Sequence, residues 1–593
     1  MLKRLTSIVA VAIGIGTTMP SSHSGLAQGG GQPAWVPGRP GDWLLHNLDQ
    51  HNRRFSPLDV INRTNADKLT VKWTVELPRN ISLGTATPIV RNGVMYFNAG
   101  TKFYAVDAES GRTIWMKDIK GDGPGGGRGP AYGDGKVYFT DRSHIYALDS
   151  ETGEPAGSFG NKGVLNVARS ALALKDGDRY PPDFDPTTIG YILASSATYA
   201  GGTLYIGIAQ AENVITGGLV AAIDGASGRV KWVFRAVPQG PQDDGWDIAK
   251  DTWSGPDRRG GGIWTAPAVD SELGMVYVNI SNPTPNYDGS SRKGTNLFTN
   301  SVVALNASTG KLMWHFQTIH HDIWDWDLVA GPTLFDVTVS GAPVKGLASL
   351  AKTCYVYALN RETGQPIFPI VETPVPTTTD MPGEEPWPTQ PIPYTARSVP
   401  QSPFCATYPN VSDPELAKRR RPMFHPYQVN AFVIVSPGLQ GGPNRGSSSF
   451  SPRTGLLYVT GKNDAWSVKA KPVGNTIKPG TNSQGHFENI GEEGKVGMKP
   501  TQNVAAYNPA TGELAWVVEL PNTTNGGNVV TAGDVLFQAI GRDFYALDAV
   551  TGKQLTKIAL KIVTSASPLV YLAGGKQFVS IASGNTVVAL GLP

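Results

Sequence analysis

One pattern of apolar and polar positions recurs along the chain. "YAVDAESGRTIW" from Tyr104, "YALDSETGEPA" from Tyr146, "AAIDGASGRVKW" from Ala221 and "VALNASTGKLMW" from Val303 follow it. So do "YALNRETGQPIF" from Tyr357, "AAYNPATGELAW" from Ala505 and "YALDAVTGKQLT" from Tyr545. Each copy is an apolar run, then Asp or Asn, then Thr or Ser before Gly, then a run often ending in Trp. The Asp or Asn side chain can accept backbone N–H groups in a turn, and the glycine supplies positive φ. Each copy therefore predicts a β-hairpin. Asp107 and Asp149 lie 42 positions apart, and Asn508 and Asp548 lie 40 apart, the length of a four-stranded propeller blade. Seven copies plus an early strand around "VKWTVEL" (71–77) predict an all-β, eight-bladed β-propeller with tryptophan-docking-type repeats. The C-terminal "TVVALGLP" is expected to close the ring with N-terminal strands. A solenoid of the same strands is the competing arrangement, but long insertions between copies fit a ring with one functional face better.

Composition agrees with many short strands and turns. Gly at 70 and Pro at 46 of 593 residues exceed the usual ~7% and ~5%. A net charge of +3 argues against a nucleic-acid partner, and "KRRR" (418–421) reads as a solvated loop. The first residues carry Lys3 and Arg4, an apolar run over 5–15 and a small-residue cleavage site at 25–27. This predicts a cleaved export signal over 1–27, a single mature domain over 28–593 and a periplasmic location. No stretch reaches the ~20 apolar residues of a spanning helix. The two cysteines, Cys354 and Cys405, are either one disulfide or two buried thiols. No CxxCH occurs, so covalent c-type haem is excluded.

Two stretches break the pattern. From Pro366 to Pro403 the chain holds eleven prolines, which excludes a regular helix or central strand there. This proline-rich insertion, about 366–435, is long enough to cross the mouth of a propeller, and long ordered loops concentrate function. The other is "HHDIWDWD" (320–327), with three aspartates and two tryptophans in eight residues. Extended with period two, it would put Asp325 and Asp327 on one side and Trp324 and Trp326 on the other, the tryptophans packing between blades.

The repeat, "WDWD" and the proline-rich "TPVP…PGE…PTQPIP" together resemble the quinoprotein alcohol and glucose dehydrogenases, over essentially the whole mature chain from "DWLLHNLDQHNRRF" at Asp42. The resemblance implies pyrroloquinoline quinone (PQQ) and a metal ion near the ring axis. It implies an alcohol oxidised to a ketone or aldehyde, with hydride passing to the quinone. Asp325 matches the family's general base. Glu212 in "AQAENV" and Asn282 in "SNPTPN" match its hard oxygen metal ligands, with Asp325 completing them and Asp327 a further candidate. Trp264 in "GGGIWTAP" matches the indole floor under the quinone. Lys352 in "SLAKTCYVY" matches the cation at the quinone oxygens, catalytic as well as cofactor-binding. Arg128 in "GGGRGPAY", Asn444 in "GGPNRGSSS" and Ser195 in "LASSATYAGG" match further polar contacts to PQQ.

Departures sharpen the expectation. The adjacent bonded cysteines that close one PQQ face in the methanol branch have no counterpart in "GDGPGGGRG", so either another group covers that face or the pocket is more open and admits bulkier substrates. Thr85 in "GTATP" stands where many relatives have an acid. Asp two residues after the base is a lanthanide ligand in one branch, but the sugar-oxidising branch carries it with divalent ions. Lys352 resembles that branch, so Ca2+ is expected, with a lanthanide as the alternative. No haem domain follows the last blade, so electrons are expected to pass to a separate acceptor such as a cytochrome c or a quinone. The substrate is expected to be a secondary alcohol, a polyol or sugar-like. The alternative from another class is a non-catalytic propeller scaffold of the outer-membrane assembly type.

Overall fold

The computed structural model describes residues 39–119, 128–256, 258–473 and 499–593, with 478, 480–481, 487–491 and 496 between the last two. The export signal and the glycine run at 120–127 lie outside the described residues.

Outer strands alternate exposed and half-buried positions, and inner strands do not. Thr113–Asp118 alternates exposed and half-buried positions, whereas Thr203–Ile208 is buried throughout. A strand flanked by blades on both faces has no solvent side, so it reads as a continuous apolar run. Eight sheets follow. They span strands Ile89–Arg91 to Thr113–Asp118, Ala131–Gly133 to Val164–Asn166, Thr198–Ala200 to Val230–Arg235, and Ala268–Asp270 to Leu312–Gln317. The others span Thr333–Val339 to Val356–Asn360, Ser449–Ser451 to Glu513–Pro521, Asn528–Thr531 to Gln554–Ala559, and Leu569–Ala573 to Thr586–Gly591. We number these blades one to eight.

Strand Thr70–Glu76 pairs antiparallel with Thr586–Gly591, so an N-terminal strand completes the last blade as expected. A second N-terminal piece, Phe55–Ser56, adds in parallel to Asn528–Thr531 of blade seven. Two covalently distant ends therefore hold the ring shut by backbone hydrogen bonds.

The repeat works as read. Asp149 accepts the N–H of Thr152 at 2.9 Å and its hydroxyl at 2.9 Å. Asp224 and Asn306 do the same for Ser227 and Thr309. The repeat glycine has a second function. At Gly153 (φ +70) a Cβ would lie 2.8 Å from the Trp115 ring of the preceding blade. Trp232 lies over Gly310 in the same way, and its Nε1 donates to Ala307 O at 2.9 Å. The tryptophan ending one repeat thus docks on the turn of the next.

Blade five departs from the four-strand expectation: it has three strands. Its chain runs on past Asn360 into Pro366 and Pro369, which have no N–H to give to a fourth strand. The insertion that starts there forms a separate hairpin, Ile370–Pro374 with Thr389–Pro393.

Candidate active site

The stretch at 320–327 is not a strand. Asp322 is wholly buried, and its carboxylate accepts the N–H of Trp324 at 2.8 Å and of Trp326 at 2.9 Å. Asn300 donates to the same carboxylate at 2.9 Å, and Arg292 holds the Asp322 carbonyl at 2.7 Å. Wrapping the chain round one side chain puts Asp325 in the left-handed region (φ 63), which Asp tolerates better than most residues. The extended expectation is corrected on backbone, yet its outcome survives: both carboxylates reach one partner. Lys352 Nζ lies 3.1 Å from Asp325 Oδ2 and 2.9 Å from Asp327 Oδ1. The indoles of Trp324 and Trp326 stack at 5.8 Å between ring centres. They meet Phe424 of the insertion edge-on, rather than packing between blades.

Each oxygen of the pair has further neighbours. Asn286 donates to Asp325 Oδ1 at 3.0 Å and Tyr287 to Oδ2 at 3.3 Å. Trp264 Nε1 donates to Asp327 Oδ2 at 2.8 Å. Burial pushes the Asp325 carboxyl well above its ordinary range; Lys352 opposes this, while Glu212, Asp327 and Asp322 add to it. Burial likewise raises Asp327, against the pull of Lys352 and Trp264. Burial alone would lower the Lys352 ammonium, but Asp325, Asp327 and Glu212 together hold it above its usual value. Three carboxylates thus act on Lys352, and two of them, Asp327 and Glu212, also act on Arg128 across the same cavity.

The cluster faces a cavity of about 700 Å³. Trp264, Arg128, Glu212, Asp325, Lys352, Asn444 and Thr85 line it, so most of the residues singled out from sequence converge from different blades. The Arg128 guanidinium lies 4.4 Å from the Trp264 ring centre, and burial, then neighbouring Arg445, lowers its pKa to about 9. Asn444 donates to Gln440 O at 2.8 Å. Ser195 is placed differently: it is wholly buried, its hydroxyl donates to Thr265 O at 2.8 Å, and Ala194 takes the cavity face. Asn282 lies beneath the lining, and its Oδ1 has no hydrogen-bond partner among the described residues.

Sequence reasoning missed Tyr287, Gln210, Arg445, Gln440, Trp466 and Asn525 on the wall. Asn286 ends the quoted "SNPTPN" and Tyr287 follows it directly, so extending that motif by one residue would have found the tyrosine. No residue of the insertion lines the cavity. Instead of crossing the mouth, it packs Met381, Ile392, Phe424 and Tyr427 behind 319–326 in one apolar cluster. Cys354 and Cys405 are bonded to each other, tying the end of the proline-rich run beside Lys352.

A family model described as "PQQ: Glucose/ethanol/alcohol dehydrogenase, beta-propeller domain" matches residues 43–504 and 501–579. The chain belongs to the PQQ-dependent alcohol dehydrogenase family. This quinoprotein is 28% identical to the dehydrogenase subunit of the quinone alcohol dehydrogenase of Komagataeibacter europaeus, over 98% of this chain and 76% of the relative. It is 26% identical to the glycerol dehydrogenase large subunit of Gluconobacter thailandicus, over 92% of this chain and 83% of the relative. Its fold matches the quinohemoprotein alcohol dehydrogenase ADHIIG of Pseudomonas putida HK5 with a TM-score of 0.72 at 25% identity, over 93% and 80% of the two chains. It is an enzyme that oxidises alcohols with PQQ, and the scaffold reading falls.

The quinoprotein's own residues fit the groups that this chemistry needs. Asn282 presents an unpartnered buried carbonyl oxygen, a hard donor suited to a metal ion. Among the described residues no three His, Cys, Asp or Glu side chains form a cage. For PQQ, the indole of Trp264 supplies a flat floor, and Arg128 and Lys352 supply cations at the wall of the same cavity. Among the described residues no helix is long and apolar enough to cross a membrane.

Proposed function

We propose that this quinoprotein is a periplasmic, calcium-dependent dehydrogenase that oxidises polyols or other secondary or sugar-like alcohols and passes electrons to a separate acceptor. The observation that carries the reading is the buried Asp325–Lys352–Asp327 cluster, open to a cavity floored by Trp264. Bound PQQ supplies an ortho-quinone that accepts two electrons and the hydrogen from the alcohol carbon.

Asp325 removes the hydroxyl proton at its Oδ2. A cation held by Glu212, Asn282 and Asp325 would oppose the burial that raises the Asp325 carboxyl, favouring the ionised form that acts as base. Calcium takes six to eight oxygens, so three side chains leave positions for cofactor oxygens. Asp327 is the residue that distinguishes calcium from a lanthanide. One of its oxygens accepts from the Trp264 indole and the other lies 2.9 Å from Lys352 Nζ, an arrangement that fixes the slot's floor and its cation relative to the base. Lys352 stabilises negative charge that builds on the reduced cofactor. Arg128 and Asn444 hold the cofactor's polar rim. Ser195 supports the wall through Thr265 rather than by a direct contact.

The substrate class rests on the wall. Gln210, Gln440 and Asn525 place three amides around the cavity, donors and acceptors suited to a chain of hydroxyls. The likeness to a glycerol dehydrogenase supports the same class. The test is dye reduction by apoprotein loaded with PQQ and calcium, across methanol, ethanol, 2-propanol, glycerol, larger polyols and aldoses. The expected result is a kcat/KM at least tenfold higher for the best polyol than for methanol. A preference for methanol would overturn the substrate assignment.

A further inference from the structure

The proline-rich insertion contributes nothing to the cavity wall, yet one of its carboxylates lies almost wholly buried behind the base. Glu384, in "MPGEEP", has a side chain only 1% exposed. Its Oε1 lies 2.7 Å from Nε2 of His321, itself wholly buried. Its Oε2 accepts the backbone N–H of Gly289. The other ring nitrogen of His321 lies 2.9 Å from Gly294 O, so the imidazole is clamped between two oxygens. A buried carboxylate needs such partners or it destabilises the fold, and Glu384 keeps a lowered pKa despite its burial, through His321 and then Arg292.

The two groups it grips lie on the two segments that meet at Asp325. Gly289 closes the loop in which Asn286 and Tyr287 donate to the two Asp325 oxygens. His321 opens the segment that carries Asp325 itself. Arg292 bridges the same two segments one step away, donating to Pro285 O and to Asp322 O at 2.7 Å each; Glu384 is the group of the insertion that joins them at Gly289 and His321. Gly289 has no room to spare: a Cβ there would collide with His321 Nε2 and lie 3.0 Å from Glu384 Oε2.

We propose that Glu384 is a positioning residue: the insertion uses this one carboxylate to latch the 286–289 loop to the 321–325 segment, and thereby sets the orientation of Asp325. The inference rests on the reading of Asp325 as the base, and it gives the insertion a function that a lid over the mouth would not. A shift of about 1 Å in a reacting group costs on the order of 100-fold in rate, so a slack latch is read in kcat.

Two readouts test it. The first is hydrogen–deuterium exchange of the apoprotein over 283–292 and 319–327, which needs neither cofactor nor turnover. Glu384→Ala is expected to raise exchange in both segments together. The second is kinetics after loading with PQQ and calcium. Glu384→Ala is expected to lower kcat at least tenfold, with KM and the bound-quinone absorbance within twofold of the starting protein. Glu384→Gln should restore most of the rate, because its amide oxygen can accept from Gly289 while its nitrogen donates to the imidazole. Gly289→Ala wedges the latch open without removing a charge, so it should reproduce Glu384→Ala should that variant fail to fold. Unchanged exchange in both segments, a kcat within twofold for Glu384→Ala and Gly289→Ala, or a Gln variant as impaired as the Ala one, would overturn the latch. A starting protein inactive with every metal and alcohol would instead overturn the functional reading, and the exchange arm would still decide the latch.

Discussion

Asp325→Asn is expected to lower kcat about 10²- to 10⁴-fold, the range over which a positioned general base acts, while the protein stays folded. The change is nearly isosteric. The amide oxygen can still accept from Asn286, which lies at 3.0 Å, and removing a charge from a cluster of three carboxylates relieves repulsion. What disappears is the ability to take a proton at Oδ2, together with one anionic oxygen for the cation. Single-turnover dye reduction in enzyme preloaded with PQQ separates the two losses. If raising calcium does not recover the rate, the missing base is responsible. A variant retaining a tenth or more of the starting kcat would mean that another group removes the proton.

Lys352→Met is expected to be damaging in a different way. Lys352 is buried and pairs with Asp325 and Asp327 at 3.1 and 2.9 Å. Methionine fills similar space but leaves three carboxylates facing one another. Breaking a buried pair by removing one partner costs about 3–5 kcal/mol. The site can escape part of this by protonation, since burial already pushes Asp325 and Asp327 upward. The sign follows: carboxyls raised in the folded state are stabilising when protonated, so the variant loses stability as pH rises and regains it as pH falls. Denaturant midpoints of the apoprotein from pH 5 to 8 would show a deficit growing with pH, and saturating calcium should recover part of it. An unchanged midpoint at pH 8 would mean that Lys352 does not neutralise the cluster. Turnover should fall with it, because the cation opposite the developing charge is gone.

The ring was legible because its information is local. Each hairpin declares itself through an Asp or Asn, a glycine and a tryptophan, and each tryptophan docks one blade along, as Trp232 does on Gly310. Closure by Thr70–Glu76 could be read because a strand at one end lacked a partner until the other end supplied it. The missing fourth strand of blade five was not read, although Pro366 and Pro369 announced it.

The site was legible where one motif supplies one residue. Glu212, Trp264, Lys352 and Asp325 reach the same cavity, as their separate motifs implied. What could not be read was how the pieces are held. The left-handed turn at Asp325 depends on Asn300 and Arg292, 20 or more positions away. The grip of Glu384 on His321 spans 63 positions. Periodicity reports neither. Ser195 shows the opposite error, because a matching motif placed its backbone correctly while its hydroxyl turned to Thr265 O. The insertion misled for a related reason: proline content excludes regular structure, but it does not say which face of the ring a loop will pack against.

The claim at the centre is that Glu212, Asn282 and Asp325 hold a divalent ion while Asp327 is spent on Trp264 and Lys352. The measurement that tests it most directly is a metal titration of the apoprotein in excess PQQ, with calcium in one series and lanthanum in the other, followed by bound-quinone absorbance and by dye reduction with the best alcohol. The account predicts that calcium restores full turnover and that lanthanum restores less than a tenth of it. Turnover with lanthanum and none with calcium would contradict it, and would make Asp327 a metal ligand.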